Sequence, residues 1–182
     1  MPITIGAKRE SDFTDPIGML GDCHRRIERF LNVLVALAGQ QNGGPLDEEQ
    51  SKALTTSLRY FRDAAPKHTA DEDDSLFPRL RQTGDAEAIA LLARIESLEQ
   101  EHECASKVHD EVDQLGQRWL DQRTLSMDDA SRLSALVGQL AVLYRRHIEI
   151  EDAEVFPVAA KVLSTADRIS VGAEMASRRG VA

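Results

Sequence analysis

Two stretches of the chain, HTADEDDSLFPRL at 68–80 and HIEIEDAEVFPVA at 147–159, share the pattern H-x-x-x-E-D-x-x-x-F-P. Residues four apart lie on one face of a helix, so each H-x-x-x-E offers one imidazole and one carboxylate to a single point. Two more histidines stand upstream at matched distances: His24 precedes His68 by 44 residues, and His102 precedes His147 by 45. The candidate metal ligands are therefore His24, His68, Glu72, His102, His147 and Glu151. Four neutral nitrogens and two carboxylates suit a first-row transition metal, iron or less readily zinc, rather than calcium or magnesium. If both glutamates bridge two iron ions and two histidines bind each, every ion has four protein ligands. A bridging oxide or hydroxide makes a fifth, and an octahedral iron keeps one position for dioxygen, peroxide or nitric oxide.

Such a constellation needs helices, and the spacing predicts them. Asp15-Pro16 reads as an N-cap with proline at the first helical position, opening a helix that runs to about Gly39. A second helix runs from near Asp47 to Phe77-Pro78, kinked or split at Pro66. A third opens at Thr83-Gly84-Asp85 and reaches about Trp119. Ser126 with Asp129 resembles a capping box for a fourth, running towards Pro157 or beyond, and a short fifth starts near Thr165. Apolar residues recur at steps of four and three: Leu20, His24, Ile27, Leu31 and Leu34 in the first helix, and Leu91, Ile95, Leu98, His102, Ala105, His109 and Val112 in the third. The second and fourth helices carry similar stripes, and all five histidines of the chain sit on them. The expected architecture is all-α: an antiparallel up-down four-helix bundle over residues 14–163, with a C-terminal helix or tail at 164–182. The duplication implies two helical hairpins, each giving one His and one His-x-x-x-Glu to a central site.

Composition narrows the function. At 182 residues the chain fits one domain with a real core. A net charge of −9 argues against nucleic acid as a partner. No apolar run is long enough to span a membrane. The N-terminus MPITIGAKRESDF lacks a signal-peptide core, so a cytoplasmic location is expected. Two cysteines, Cys23 and Cys104, do not make a disulfide framework. Neither a dinucleotide fingerprint, a P-loop nor a nucleophile elbow occurs.

The motifs GDCHRRIERF, HTADEDDSLFP, EQEHECA and HIEIEDAEVFP together resemble the hemerythrin-like proteins of the HHE cation-binding type, over roughly residues 14–163. The resemblance implies a four-helix bundle around a non-haem di-iron centre that meets dioxygen or a related small ligand. Oxygen-carrying hemerythrins place another histidine one turn beyond the helix-three ligand, where this chain has Ser106. The site therefore resembles the four-histidine, two-glutamate branch linked to oxygen and iron sensing, redox stress and peroxide chemistry. Three functions compete: oxygen or iron sensing or storage, peroxide decomposition, and a zinc-clamped structural or interaction module.

Several neighbours have blander expected roles. His109, about 10 Å along the axis from His102, is expected in the core or behind the ligands. Tyr144, one turn before His147, is expected to pack with its hydroxyl satisfied. Asp71, Asp73 and Asp74 are expected on a solvated face, with one of them able to orient a ligand imidazole. Phe77-Pro78 and Phe156-Pro157 are expected to cover the site and interrupt the helices, and both cysteines to be inert and buried.

Overall fold

The computed structural model describes residues 10–181, which are mainly helical and contain no strand. The segment read for a leader falls mostly outside the described residues. Helix α1 spans Pro16–Gln41, α2 Glu48–Asp63 and α3 Ala65–Ala70; α4 is Phe77–Gln82, α5 Ala86–Gln122, α6 Met127–Ile150, α7 Phe156–Val162 and α8 Thr165–Arg178. Six residues in π-helical form, Asp71–Leu76, join α3 to α4, and five, Glu151–Val155, join α6 to α7. Among the described residues no helix is long and apolar enough to cross a membrane.

The start signals act as expected. Asp15 accepts from the Gly18 N–H, Asp85 from those of Glu87 and Ala88, and Ser126 from that of Asp129. The box at Ser126 is only half made, because the Asp129 carboxylate turns outward to accept from Arg118 at 2.8 Å. Pro66 divides the second helical run at Ala64. The later prolines act differently from the interruption expected of them. Each helix continues past its Phe-Pro pair, and the turn before the pair widens instead. Pro78 lacks an N–H, and its ring would strike the carbonyl four residues back. The chain accommodates it by letting the Phe77 N–H reach the Glu72 carbonyl, five residues back, and Phe156 does the same to Glu151.

Helices α1, α2, α5 and α6 pack in a ring, α1 and α5 each against both α2 and α6. The predicted stripes are the buried faces, except that Leu143, Ile150 and His109 are half-buried. Two apolar clusters result. One gathers Ile27, Leu31, Leu58, Phe61, Val112, Trp119 and Leu140; the other gathers Leu20, Leu76, Phe77, Ile95, Leu98, Phe156 and Met175. Five of the six candidate ligands lie along the chain between the contributions to one cluster and to the other, and His147 lies one residue before that boundary.

Helix α8 lies against α1 and the first π turn. Its Gly172 is pressed to the backbone before α1, where a Cβ would stand 2.0 Å from the Phe13 carbonyl oxygen. Asp71, fully buried, accepts from Arg178 at 3.0 Å and from Arg179 at 2.6 Å. Ser75 accepts from Arg178 and donates to Glu174, which also pairs with Arg79. Asp71 is thus not on the solvated face expected for it; the helix that buries it arrives from a hundred residues away.

Candidate metal centre

The stripes and π turns bring all six predicted ligands together, each buried. Glu72 Oε1 faces His24 Nε2 at 3.8 Å and His68 Nε2 at 3.4 Å, while its Oε2 faces His102 Nε2 at 3.5 Å. Glu151 Oε2 lies 3.1 Å from His24 Nε2 and 3.2 Å from His147 Nε2. The ligand atoms fall into two groups, His24, His68, Glu72 and Glu151, and Glu72, His102, His147 and Glu151, within each of which all lie inside 4.8 Å. Both groups contain both glutamates. Ligands about 2.1 Å from one ion stand at most roughly 4.2 Å apart, so contraction by a few tenths of an ångström would close each shell.

These atoms lack other partners. Both oxygens of Glu72 and of Glu151, with Nε2 of His24 and of His147, are buried without a hydrogen bond, despite the close approaches. Leaving a buried polar atom unpaired costs about 1–3 kcal/mol, so the cluster is poorly explained as ordinary packing. A shared cation pair would satisfy every one of them, and the donor chemistry fits.

Behind the candidate ligands stands a second set of carboxylates, related by the duplication. Asp152 Oδ1 holds His24 Nδ1 at 2.8 Å, and Asp73 Oδ1 holds His102 Nδ1 at 2.9 Å. The aspartate after each glutamate thus supports the first histidine of the other hairpin, which leaves Nε2 for a metal. Of the acidic run, Asp73 takes this orienting role and Asp74 stays exposed. The phenylalanines follow the same crossing. Phe156 stacks on His24 with centroids 5.1 Å apart, and Phe77 lies parallel to His102 at 6.4 Å.

The charges are divided within this layer. Burial and the Glu151 carboxylate push Glu72 up to about 7. Burial pushes Glu151 up too, but the His147 and His24 imidazoles outweigh it and hold Glu151 well below the carboxylate range. Burial opposes charge on His24, yet Asp152, Glu151 and Glu72 raise it; against the same opposition, contact with Glu151 lifts His147 to about 9. His68 goes the other way, lowered by burial and by the neighbouring His24.

Sequence reasoning missed Glu101, which holds His147 Nδ1 at 3.0 Å and precedes a candidate ligand rather than following one. His109 lies outside both groups, and its Nε2 shares a 3.0 Å hydrogen bond with the Tyr144 hydroxyl. Burial lowers His109 to about 4 and raises Tyr144. Both line a cavity of about 120 Å³ with His102, Ser106, Phe61 and Thr69. Cys23 is buried and accepts from Arg26, whereas Cys104 is exposed, against the burial expected of it.

The family model for the Hemerythrin HHE cation binding domain matches residues 15–159. The chain belongs to the hemerythrin family. The matched span contains all six residues of the hemerythrin-type cluster and stops before α8. The chain is also 27% identical to an uncharacterized protein of Haemophilus influenzae over 169 residues, covering 93% of this chain and 92% of the relative.

Proposed function

We propose that this hemerythrin-family chain is a non-haem di-iron protein that meets dioxygen or a related oxidant, in oxygen, iron or redox sensing or storage. The observation that carries the reading is the pair of histidine groups sharing the same two orphaned glutamates. His24 and His68 would hold one ion and His102 and His147 the other, with Glu72 and Glu151 common to both. The finer architecture belongs to the same reading: α1, the α2–α4 run, α5 and the α6–α7 run as an antiparallel up-down bundle of residues 14–163, with 164–182 as an added C-terminal element.

Bound iron would supply electron exchange with dioxygen, peroxide or nitric oxide. The chain's own residues do the rest. Asp73, Asp152 and Glu101 keep three imidazoles in the tautomer that presents Nε2. Phe77 and Phe156 close off one end of the layer. On the other side Ser106, small and polar where an oxygen carrier would have histidine, leaves room for the cavity against His102. That space favours reaction or sensing over stable carriage.

The first test is metal content of protein purified without chelators; about two irons per chain are expected for this ligand set. Stripping the metal should lower the melting temperature markedly, because the bound ions stabilise only the folded chain. Zinc alone, or a well-folded chain free of metal with an unchanged melting curve, would overturn the reading. A second reading, decomposition of peroxide, is favoured by the Tyr144 hydroxyl on the cavity wall. Steady oxygen release from peroxide, abolished in Glu72→Ala, would establish it.

A further inference from the structure

The duplication repeats the supports behind the first histidine of each hairpin but not those behind the second. Asp152 on His24 matches Asp73 on His102, and Phe156 on His24 matches Phe77 on His102. His147 has Glu101, the residue preceding His102. The corresponding position in the first hairpin, preceding His24, is Cys23. Its sulfur is engaged by Arg26 at 3.3 Å, and His68 Nδ1 is buried with no hydrogen-bond partner at all. Other polar groups are also one-sided. Tyr144, three residues before His147, corresponds to Ala65 before His68; His109, seven beyond His102, corresponds to Leu31 beyond His24. At these three positions the first hairpin has Cys23, Ala65 and Leu31 where the second has Glu101, Tyr144 and His109.

Resting on the two-metal reading, we propose that the halves of the centre are inequivalent, with the His102–His147 half taking its cation first and holding it more tightly than the His24–His68 half. A carboxylate on the far nitrogen of a ligating imidazole fixes the tautomer, aims the ring and raises its basicity, and losing one costs about 10- to 100-fold in metal affinity. His68 lacks that support. When His68 is neutral, nothing selects the tautomer that leaves Nε2 bare, and a proton on Nε2 would have to leave before an ion could bind there. The half with both imidazoles supported is also the one that borders the Ser106 cavity. The ion held first is therefore the ion nearest the approaching small molecule.

The test is titration of the chelator-stripped full chain with zinc, followed by calorimetry and by NMR of ring-labelled histidines. A simple split into two steps would arise even from identical halves that share carboxylates, so the order of the histidine signals decides. At one equivalent, the His102 and His147 signals should have moved and those of His24 and His68 should not. In Glu101→Ala the first step should weaken by about 10- to 100-fold and the preference should vanish. Cys23→Asp, if it folds, should bring the second step towards the first. Both pairs moving together, His24 and His68 moving first, or a Glu101→Ala titration like the parent's would overturn the inference while two bound ions left the centre standing. Saturation below two equivalents would overturn the two-metal reading itself.

Discussion

Asp71 and Asp74 stand three residues apart in one acidic run, yet replacing the first should cost far more stability than replacing the second. Asp71 is fully buried between two guanidiniums that are themselves about a fifth exposed, whereas Asp74 is 68% exposed and reaches Arg178 only at 3.9 Å. Asp71→Asn keeps the shape and removes the charge. Two charge-assisted hydrogen bonds, each worth about 1.5–3 kcal/mol net, are weakened together. Part of that is returned, because the buried carboxylate no longer has to be stripped of water and the arginines can turn outward. A loss of about 2–3 kcal/mol remains, or roughly 5–10 °C of melting temperature at 2–4 °C per kcal/mol for a chain of this size. Asp74→Asn should stay within about 0.5 kcal/mol, as exposed substitutions do. Thermal unfolding followed by far-UV circular dichroism would measure both. A cycle with Arg179→Ala should show the two losses to be non-additive, since they share one contact. An Asp71→Asn chain that melts with the parent, or two asparagine variants that cannot be told apart, would refute the buried anchoring of α8.

Two further outcomes follow from the same geometry. Burial lowers His109 to about 4 from an ordinary 6.5, so the unfolded chain binds the extra proton first. Its contribution is fully present above pH 6.5 and is lost as the pH falls towards 4, by at most about 3 kcal/mol at 1.36 kcal/mol per unit. His109→Leu should flatten the acid side of the stability–pH curve relative to the parent, and an unchanged difference between pH 7 and pH 4 would refute this. Gly172→Ala should drive a methyl into the Phe13 carbonyl and cost several kcal/mol by prying α8 from α1. Gly138→Ala, with open space around it, should instead gain about 0.5–1 kcal/mol of helix propensity. Denaturant midpoints would check the pair, and a tolerated Gly172→Ala would mean that α8 is not seated as described.

The six clustered residues were legible because four-residue spacing in a helix is a statement about geometry, and the duplication made chance unattractive. Helix starts were legible for the same local reason. Phe77 and Phe156 were expected over the site and lie there; what lay beyond reach was the backbone that puts them there. At 100° per residue, a phenylalanine five positions after a glutamate falls about 140° away from it on a regular helix. Only the widened turn, caused by the following proline, brings Phe77 and Phe156 back over the histidines. Asp71 looked solvated because its burial depends on α8, which no local pattern ties to it. The aspartates in the two E-D pairs did carry a signal, their repetition, though it pointed to a neighbouring helix and not to their own. Glu101 carried none, since its counterpart is a cysteine.

The cluster also sits as a polar layer between two separate apolar cores. A protein built so has its cooperativity routed through that layer. With the carboxylates and imidazoles bridged, the Trp119 end and the Met175 end are bound into one unit and should melt as one. Emptied, the same layer is a seam of unpaired groups, along which the two ends are free to unfold in separate transitions. Occupancy would then be readable from far outside the centre, in the local opening of helix ends that never approach a ligand, and that is a form in which a sensor's state can be passed on.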